Sequence, residues 1–182
     1  YSGEVNLRRP RNEWLTLLGG FRYVELDEHY KAAGLGAVSA APDQISAKTA
    51  NHLLGFQVGA DGLLYQNGRW TFQGITKAGI YANHAKQAAY QLDTDAATLF
   101  TGQDSRDVAA FLGEVALMGK CQVTEHMSLR LGYQMMWLDG VATATDQMAV
   151  NSLGISSAAS STVETGNTVF YHGAVAGAEL TW

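Results

Sequence analysis

The stretch HMSLRLGYQMMWLDG, residues 126–140, alternates apolar and polar side chains with a period of two. If the backbone is extended, six apolar side chains share one face: Met127, Leu129, Leu131, Tyr133, Met135 and Trp137. A helical period collects fewer of them on one side, so the pattern favours a β-strand. A protein core and a lipid bilayer are both compatible with this alternation, and the rest of the chain has to distinguish them.

The same alternation recurs in six further segments, which predict seven strands in all and an all-β fold. They read SGEVNLRR, EWLTLLGGFRYVELDEHY, LLGFQVGADGLLY, WTFQGITKAGIYA, VAAFLGEVALMGKCQV and VFYHGAVAGAELTW. In the second, the apolar face changes phase after Tyr23, which predicts a bulge near the end of that strand. Asn67 and Gly68, between the third and the fourth, predict a two-residue hairpin turn.

The predicted connections alternate between short and long. The short ones run from Pro10 to Glu13, Asn67 to Arg69 and Thr124 to His126, and the long ones from Lys31 to Asn51, Asn83 to Asp107 and Asp139 to Thr168. This alternation is typical of up-and-down barrels in the outer membrane. Several strands also reach the ~9–11 residues that a tilted strand needs to cross a bilayer. We therefore predict an antiparallel up-and-down transmembrane β-barrel with about seven or eight strands visible in this chain.

The large aromatic residues cluster at the strand ends. Trp14, Trp70 and Trp182 lie at short-turn ends, whereas Trp137 lies at a long-loop end with Tyr23, Tyr30, Tyr81, Phe170 and Tyr171 nearby. Aromatic rings prefer the two interfaces of a membrane, so these residues predict two girdles. A soluble sandwich would instead concentrate its aromatic residues in the middle of the strands.

The alternation then assigns each side chain to lipid or to the barrel interior. The predicted lipid-facing residues include Phe56, Val58, Phe111, Val115, Leu129 and Leu131. The opposite face carries charges of both signs that can pair across a polar lumen: Glu4, Arg8, Arg22, Asp61, Lys77, Glu114, Lys120, Arg130 and Glu179. We therefore expect Leu129 and Leu131 to contact acyl chains and Arg130 to face the interior.

Composition and motifs argue against several other classes of protein. The 182 residues carry a net charge of -5 without a basic patch, so nucleic acid is not an expected partner. The five histidines lack ligand spacing, Cys121 is the only cysteine, and no nucleophile elbow or nucleotide-binding glycine motif is present. We therefore expect no enzyme activity, no metal and no cofactor. The one cluster that leaves catalysis open is Asp27, Glu28 and His29, predicted to lie at the loop-side rim.

The ordered segments EVNLRR, GFRYVELDE, NHLLGFQVGADG, GRWTFQGITKAGI, LRLGYQMMWLDGV, DQM and FYHGAVAGAELTW also carry a resemblance. Together they resemble the planctomycete outer-membrane β-barrel porin family over nearly all of the chain except the loops. The resemblance implies a location in the bacterial outer membrane and a porin-like channel or structural surface barrel with long extracellular loops. It brings no catalytic residues.

Two alternatives remain beside this interpretation. One is a soluble secreted β-sandwich or ligand-binding β-barrel with a loop-borne binding site, and the other is an outer-membrane enzyme using the rim at Asp27 to His29. For the membrane barrel, the expected partners are membrane lipids, the outer-membrane assembly machinery, small polar solutes, and further barrel strands or copies of the chain. Whether the protein needs detergent separates the soluble reading from the other two.

Seven strands leave Tyr1 and Trp182 on opposite sides of a membrane, whereas bacterial single-chain barrels have an even strand number. We therefore expect residues 1–182 to form one β-barrel domain that is the carboxy-terminal part of a longer barrel, with an odd number of strands preceding Tyr1 or supplied by another chain. The rival explanation is an eighth strand within GVATATDQMAVN. Leu180 and Trp182 end the last alternating row, and we expect them to act as part of the signal for barrel assembly.

Overall fold

The computed structural model of the chain describes residues 1–35, 42–92, 98–146 and 163–180. It contains seven strands: β1 (Ser2–Pro10), β2 (Leu15–Leu35), β3 (Pro42–Asn67), β4 (Trp70–Leu92), β5 (Thr98–Gln122), β6 (Met127–Val141) and β7 (Asn167–Leu180). Each strand pairs antiparallel with its neighbours in sequence, in the order β1 to β7. The predicted all-β, up-and-down topology is confirmed, and the described strands form an open sheet with β1 and β7 at its edges.

The first two predicted long loops are for the most part strand. β2 and β3 pair as far as Leu35 and Pro42, and β4 and β5 pair as far as Leu92 and Thr98. The prediction of long loops was wrong there because stretches such as KTANHLL and NHAKQAAYQL lack the apolar alternation that marked the other strands. Only the connection between β6 and β7, residues 142–166, remains long.

The bulge predicted in β2 is absent, since β2 pairs with β3 without a register shift from Leu15 to Leu35. What changes after Tyr23 is the face that carries apolar side chains: Val24 and Leu26 take the side of Arg22. When a strand passes from one solvent into another, its two opposite faces can exchange polarity. The change of phase therefore needs no bulge residue. A register shift is found instead in β3, between Leu63 and Tyr65.

The hairpin between β3 and β4 forms one residue later than predicted. Asn67 pairs with Trp70, so Gly68 and Arg69 are the two central residues of the turn. Gly68 has a φ of 55°, which a glycine adopts without steric cost. A glycine at the first central position is the signature of a type II′ turn, whose twist matches that of the two strands.

The sheet is curled, with one concave face. Arg22 on β2 contacts Glu114 on β5 at 2.6 Å, although β3 and β4 lie between them. Three strand spacings would separate these strands by about 14 Å in a flat sheet. A buried apolar cluster lines part of the concave face and consists of Val24, Leu53, Tyr81, Ala110, Leu112, Leu138 and Val141.

Beyond Val141, the described part of GVATATDQMAVN is not a strand. β6 ends at Val141, and residues 144–146 form a single helical turn. Residues 147–150 lie outside the described residues. Within the described ranges, the helical content is too short and too polar to include a membrane-crossing helix.

Candidate functional site

The two faces of the curled sheet differ in chemistry. The residues predicted to face lipid all lie on the convex face, where Leu131 is 67% and Val58 is 54% exposed; the others are Phe56, Phe111, Val115 and Leu129. The residues predicted to face a lumen all lie on the concave face: Arg22, Asp61, Lys77, Glu114 and Arg130. The structure thus separates the two predicted sets onto opposite sides of one sheet.

A network of ion pairs occupies the middle of the concave face. Glu114 lies between two cations, with Oε2 at 2.6 Å from Arg22 Nη1 and Oε1 at 3.3 Å from Lys77 Nζ. Glu4, reached from β1, contacts the same two cations at 2.7 Å (Lys77) and 3.8 Å (Arg22). Two carboxylates and two cations balance, so the network is neutral while presenting many polar atoms.

Amide groups and a phenol extend this network. The Gln57 amide donates to Glu4 at 2.8 Å and to Asn6 at 2.9 Å, and accepts from the Tyr81 hydroxyl at 3.2 Å. The Tyr81 ring lies against Gly55 and Gly79, where a Cβ atom would come within 2.8 Å of it. Tyr81 is therefore a buried residue of the concave face, and its predicted place in an aromatic girdle was wrong.

A second charged group lies towards the short turns. Glu179 on β7 accepts hydrogen bonds from Lys120 at 2.9 Å and from Arg130 at 2.7 Å, and Arg8 pairs with Asp61. These side chains are more exposed than Arg22 and Glu114. Polar contacts thus continue along the concave face from its middle to its short-turn end.

The start of the connection between β6 and β7 crosses the concave face, near the end that lies opposite the short turns. We call residues 141–146 the strap. Gly140, with a φ of 80°, turns the chain inward at the end of β6, and Val141 to Ala144 are buried. The Asn51 side chain then pairs with the Ala142 backbone twice, donating to its carbonyl and accepting from its N–H, both at 2.8 Å.

Further contacts fix the strap and the return of the chain. Glu28 on β2 accepts from the Ala144 N–H at 3.0 Å, and Asn83 on β4 donates to Asn51 at 3.1 Å and to the Gly140 carbonyl at 3.0 Å. The Val163 N–H donates to Asp104 on β5 at 3.0 Å. Sequence reasoning missed the strap, because a stretch of Ala and Thr residues has no periodicity. The local signal in the sequence was Gly140, next to the last residue of β6.

On the convex face, a polar row follows directly after the apolar side chains. Tyr23, Leu54, Ala82 and Ala109 are register neighbours, and two residues further along lie Glu25, His52, His84 and Asp107, which we call the polar row. The Tyr23 hydroxyl contacts His52 Nδ1 at 3.0 Å, and His84 Nδ1 lies 2.6 Å from Asp107. This row marks where the convex face stops being apolar.

The cluster of Asp27, Glu28 and His29 does not assemble into one site. Successive residues of a strand point to opposite faces, so Asp27 and His29 lie on the convex face while Glu28 reaches the strap on the concave face. In the described ranges, no group of three or more His, Cys, Asp or Glu side chains is placed to hold a metal ion.

The tryptophans within the described ranges are exposed and lie near the ends of the strands. Trp14 and Trp70 are 58% and 54% exposed near the short turns, and Trp137 packs on Phe170 with ring centroids 5.4 Å apart near the opposite end. Leu180 is also exposed, whereas Trp182 lies outside the described residues. Tyr171 lies on the concave face beside Met136.

Comparison with known protein families gives a match over nearly the whole chain. The family model described as "Putative beta barrel porin-7 (BBP7)" matches residues 2–173. No curated protein and no solved structure matches the sequence. The match confirms the resemblance to a β-barrel porin family that the ordered strand motifs carried.

Proposed function

This chain belongs to the beta barrel porin-7 family, and from this membership we propose that it forms the wall of a non-enzymatic β-barrel porin in the bacterial outer membrane. The proposed barrel encloses a polar lumen for small polar solutes. The observation that carries the proposal is the division of one curled sheet into an exposed apolar convex face and a concave face with a buried ion network.

The dimensions of the apolar surface support a position in a bilayer. On β3, apolar convex residues run from Leu54 to Leu64, which is 11 residues, and on β6 they run from Leu129 to Trp137, which is 9 residues. A tilted strand needs about 9 to 11 residues to cross the hydrocarbon. A soluble sandwich would bury such a surface against a second sheet, so this pattern disfavours the soluble alternative.

The seven described strands form an open sheet, whereas a barrel in a membrane has to be closed. Backbone groups left unpaired in lipid cost several kcal/mol each. β1 and β7 pair on one side only within the described sheet, and every β1 side chain except Asn6 is exposed. We therefore propose that further strands, from the same protein or from another chain, pair with both edges.

The strap favours a lumen that is narrowed near its long-loop end. Asn51 holds Ala142 through two hydrogen bonds, so Asn51→Ala should loosen the strap and raise single-channel conductance in planar bilayers. The matched control is Asn67→Ala, in an exposed short turn at the opposite end of the strands from the strap. Conductance of the wild-type chain, assembled together with the strands that close its barrel, is the primary test. If folded, inserted protein conducts no ions in either form, the channel proposal is wrong and a structural barrel takes its place.

Detergent dependence tests the membrane location separately. The chain should partition with membranes and need detergent to remain in solution. Its folded form should migrate differently from its heated form on gels. A protein that stays monomeric without detergent would overturn the outer-membrane location.

A further inference from the structure

Beyond the polar row, the convex face carries a pocket of about 590 Å³. Its floor is formed by Ala50 and Ala88 on the adjacent strands β3 and β4, which are offset by two residues in the register. Their small side chains leave a depression between longer neighbours. Lys86 pairs with Ala50 and Lys48 pairs with Ala88, so the two lysines stand diagonally across this floor.

Diagonal neighbours on paired strands are about 7–8 Å apart, a distance that two flexible ammonium groups can close around one anion. His29, level with Lys48, and Gln103, level with Ala88, complete the sides of the pocket. Asp27 contributes the one convex-face carboxylate of the lining, against two lysines. Desolvation, and then the charges of Lys48 and Lys31, lowers the pKa of His29.

The height of the pocket also limits what it can meet. Lys86 lies four residues beyond Ala82, the last apolar residue before the polar row on β4, which is about 13 Å along the strand and about 10 Å in height for a tilt of about 40°. Lysine side chains near an interface extend towards the polar headgroups. Lys48 lies six residues beyond Leu54 on β3, about 15 Å in height by the same measure, so both lysine side chains have to extend back towards the membrane to meet the headgroup layer.

We propose that this pocket binds the phosphate group of an outer-leaflet lipid, with Lys48 and Lys86 as the charged donors and Ala50 and Ala88 as the floor. The inference rests on the proposed outer-membrane location. A phosphate carries several acceptor oxygens, so it can accept hydrogen bonds from two ammonium groups at once. The acyl chains of the same lipid would then lie along the apolar convex face. An anchored lipid of this kind would fix the height of the barrel in the membrane.

The test is lipid binding to the full chain, folded in a nonionic detergent and followed by native mass spectrometry. The probes are phosphatidic acid, phosphatidylcholine and inorganic phosphate. We expect saturable binding of phosphatidic acid in preference to both others. The double variant Lys48→Gln/Lys86→Gln should weaken it about 30-fold, at about fivefold for each lysine.

Two further variants separate a built site from general charge. Ala88→Leu fills the floor without changing any charge and should also weaken binding of phosphatidic acid. Arg11→Gln/Arg69→Gln removes two cations from the short turns, at the opposite end of the strands from the pocket. This variant should bind phosphatidic acid within about twofold of the wild type. Equal losses in the two double variants, or no loss in either, would contradict the proposal.

The other outcomes are equally distinct. Inorganic phosphate that binds as tightly as phosphatidic acid overturns the lipid assignment. Failure of the outer-membrane location itself would show in every variant, as protein without a heat-modifiable band or vesicle insertion. Failure of the pocket would show in inserted protein that has no preference for phosphatidic acid.

Discussion

Arg22 and Glu114 lie 92 positions apart in the sequence and three strands apart in the sheet, yet their side chains meet at 2.6 Å. Both side chains are less than a tenth exposed. The contact therefore depends on the curvature of the sheet, and it joins strands that share no backbone hydrogen bond. Such a pair couples the curvature of the wall to the chemistry of the concave face.

Glu114→Gln should destabilise the folded chain by about 3 kcal/mol, because it leaves Arg22 and Lys77 buried with one carboxylate in place of two. Asp61→Asn is the matched control: its partner Arg8 is 54% exposed, so the loss should stay below about 1 kcal/mol. Urea unfolding of both variants, reconstituted in lipid vesicles, measures the difference. Equal midpoints would show that the Arg22 and Glu114 pair is not a structural contact.

Leu131→Arg should prevent assembly, since a cation on the lipid face near mid-membrane costs about 2–4 kcal/mol. Leu129→Arg, on the same face and nearer the short-turn end, should act in the same direction. Arg130→Leu should assemble, because Glu179 keeps Lys120 as a partner. Heat-modifiable gel mobility reports folding of all three variants. Equal folding of the arginine and leucine variants would remove the inside and outside assignment.

His29 should titrate below its usual pKa of 6.5, mainly through desolvation and then through Lys48 and Lys31. The direction in which the stability of the folded chain changes with pH follows from proton uptake by His29. Above pH 6.5 the imidazole is neutral in both states and stability does not depend on it. As the pH falls below 6.5, the unfolded chain takes up the proton first, so the folded state loses stability.

NMR titration of the His29 ring measures this shift directly. Lys48→Gln should raise the pKa of His29 part of the way back, because the desolvation remains. Arg69→Gln, in a short turn at the opposite end of the strands from His29, should leave the pKa of His29 unchanged. A His29 pKa at or above 6.5 in the folded wild type would contradict the expected effects of desolvation, Lys48 and Lys31.

The strand alternation was sufficient to place Arg22 and Glu114 on the same face and Leu129 and Leu131 on the opposite one. It also contained the position of Tyr81, since Ile80 and Ala82 had already been assigned to the other side. The contact between Arg22 and Glu114 could not be predicted, because periodicity within a strand says nothing about sheet curvature. The strap was hidden for a related reason: Asn51 recognises the backbone of Ala142, and a backbone contact leaves no residue pattern in the segment that provides it.

Deleting residues 180–182 should leave the chain unassembled in the periplasm. Leu180 pairs with Met127 and ends the exposed convex row of β7 that also holds Ala176 and Ala178, and Trp182 continues the same alternation in the sequence. An apolar row that ends in an aromatic residue at the membrane interface suits recognition by the assembly machinery, which has to bind the strand before the barrel closes.

The deletion also removes the pairing of Leu180 with Met127, so a control has to separate lost recognition from lost stability. Trp182→Phe keeps an aromatic ring at this position and should assemble, whereas Trp182→Asp keeps the chain length and should not. Fractionation of outer-membrane and periplasmic protein, with heat-modifiable mobility as the measure of folding, distinguishes them. Normal insertion of the Asp variant would show that the aromatic ring at position 182 is not recognised during assembly.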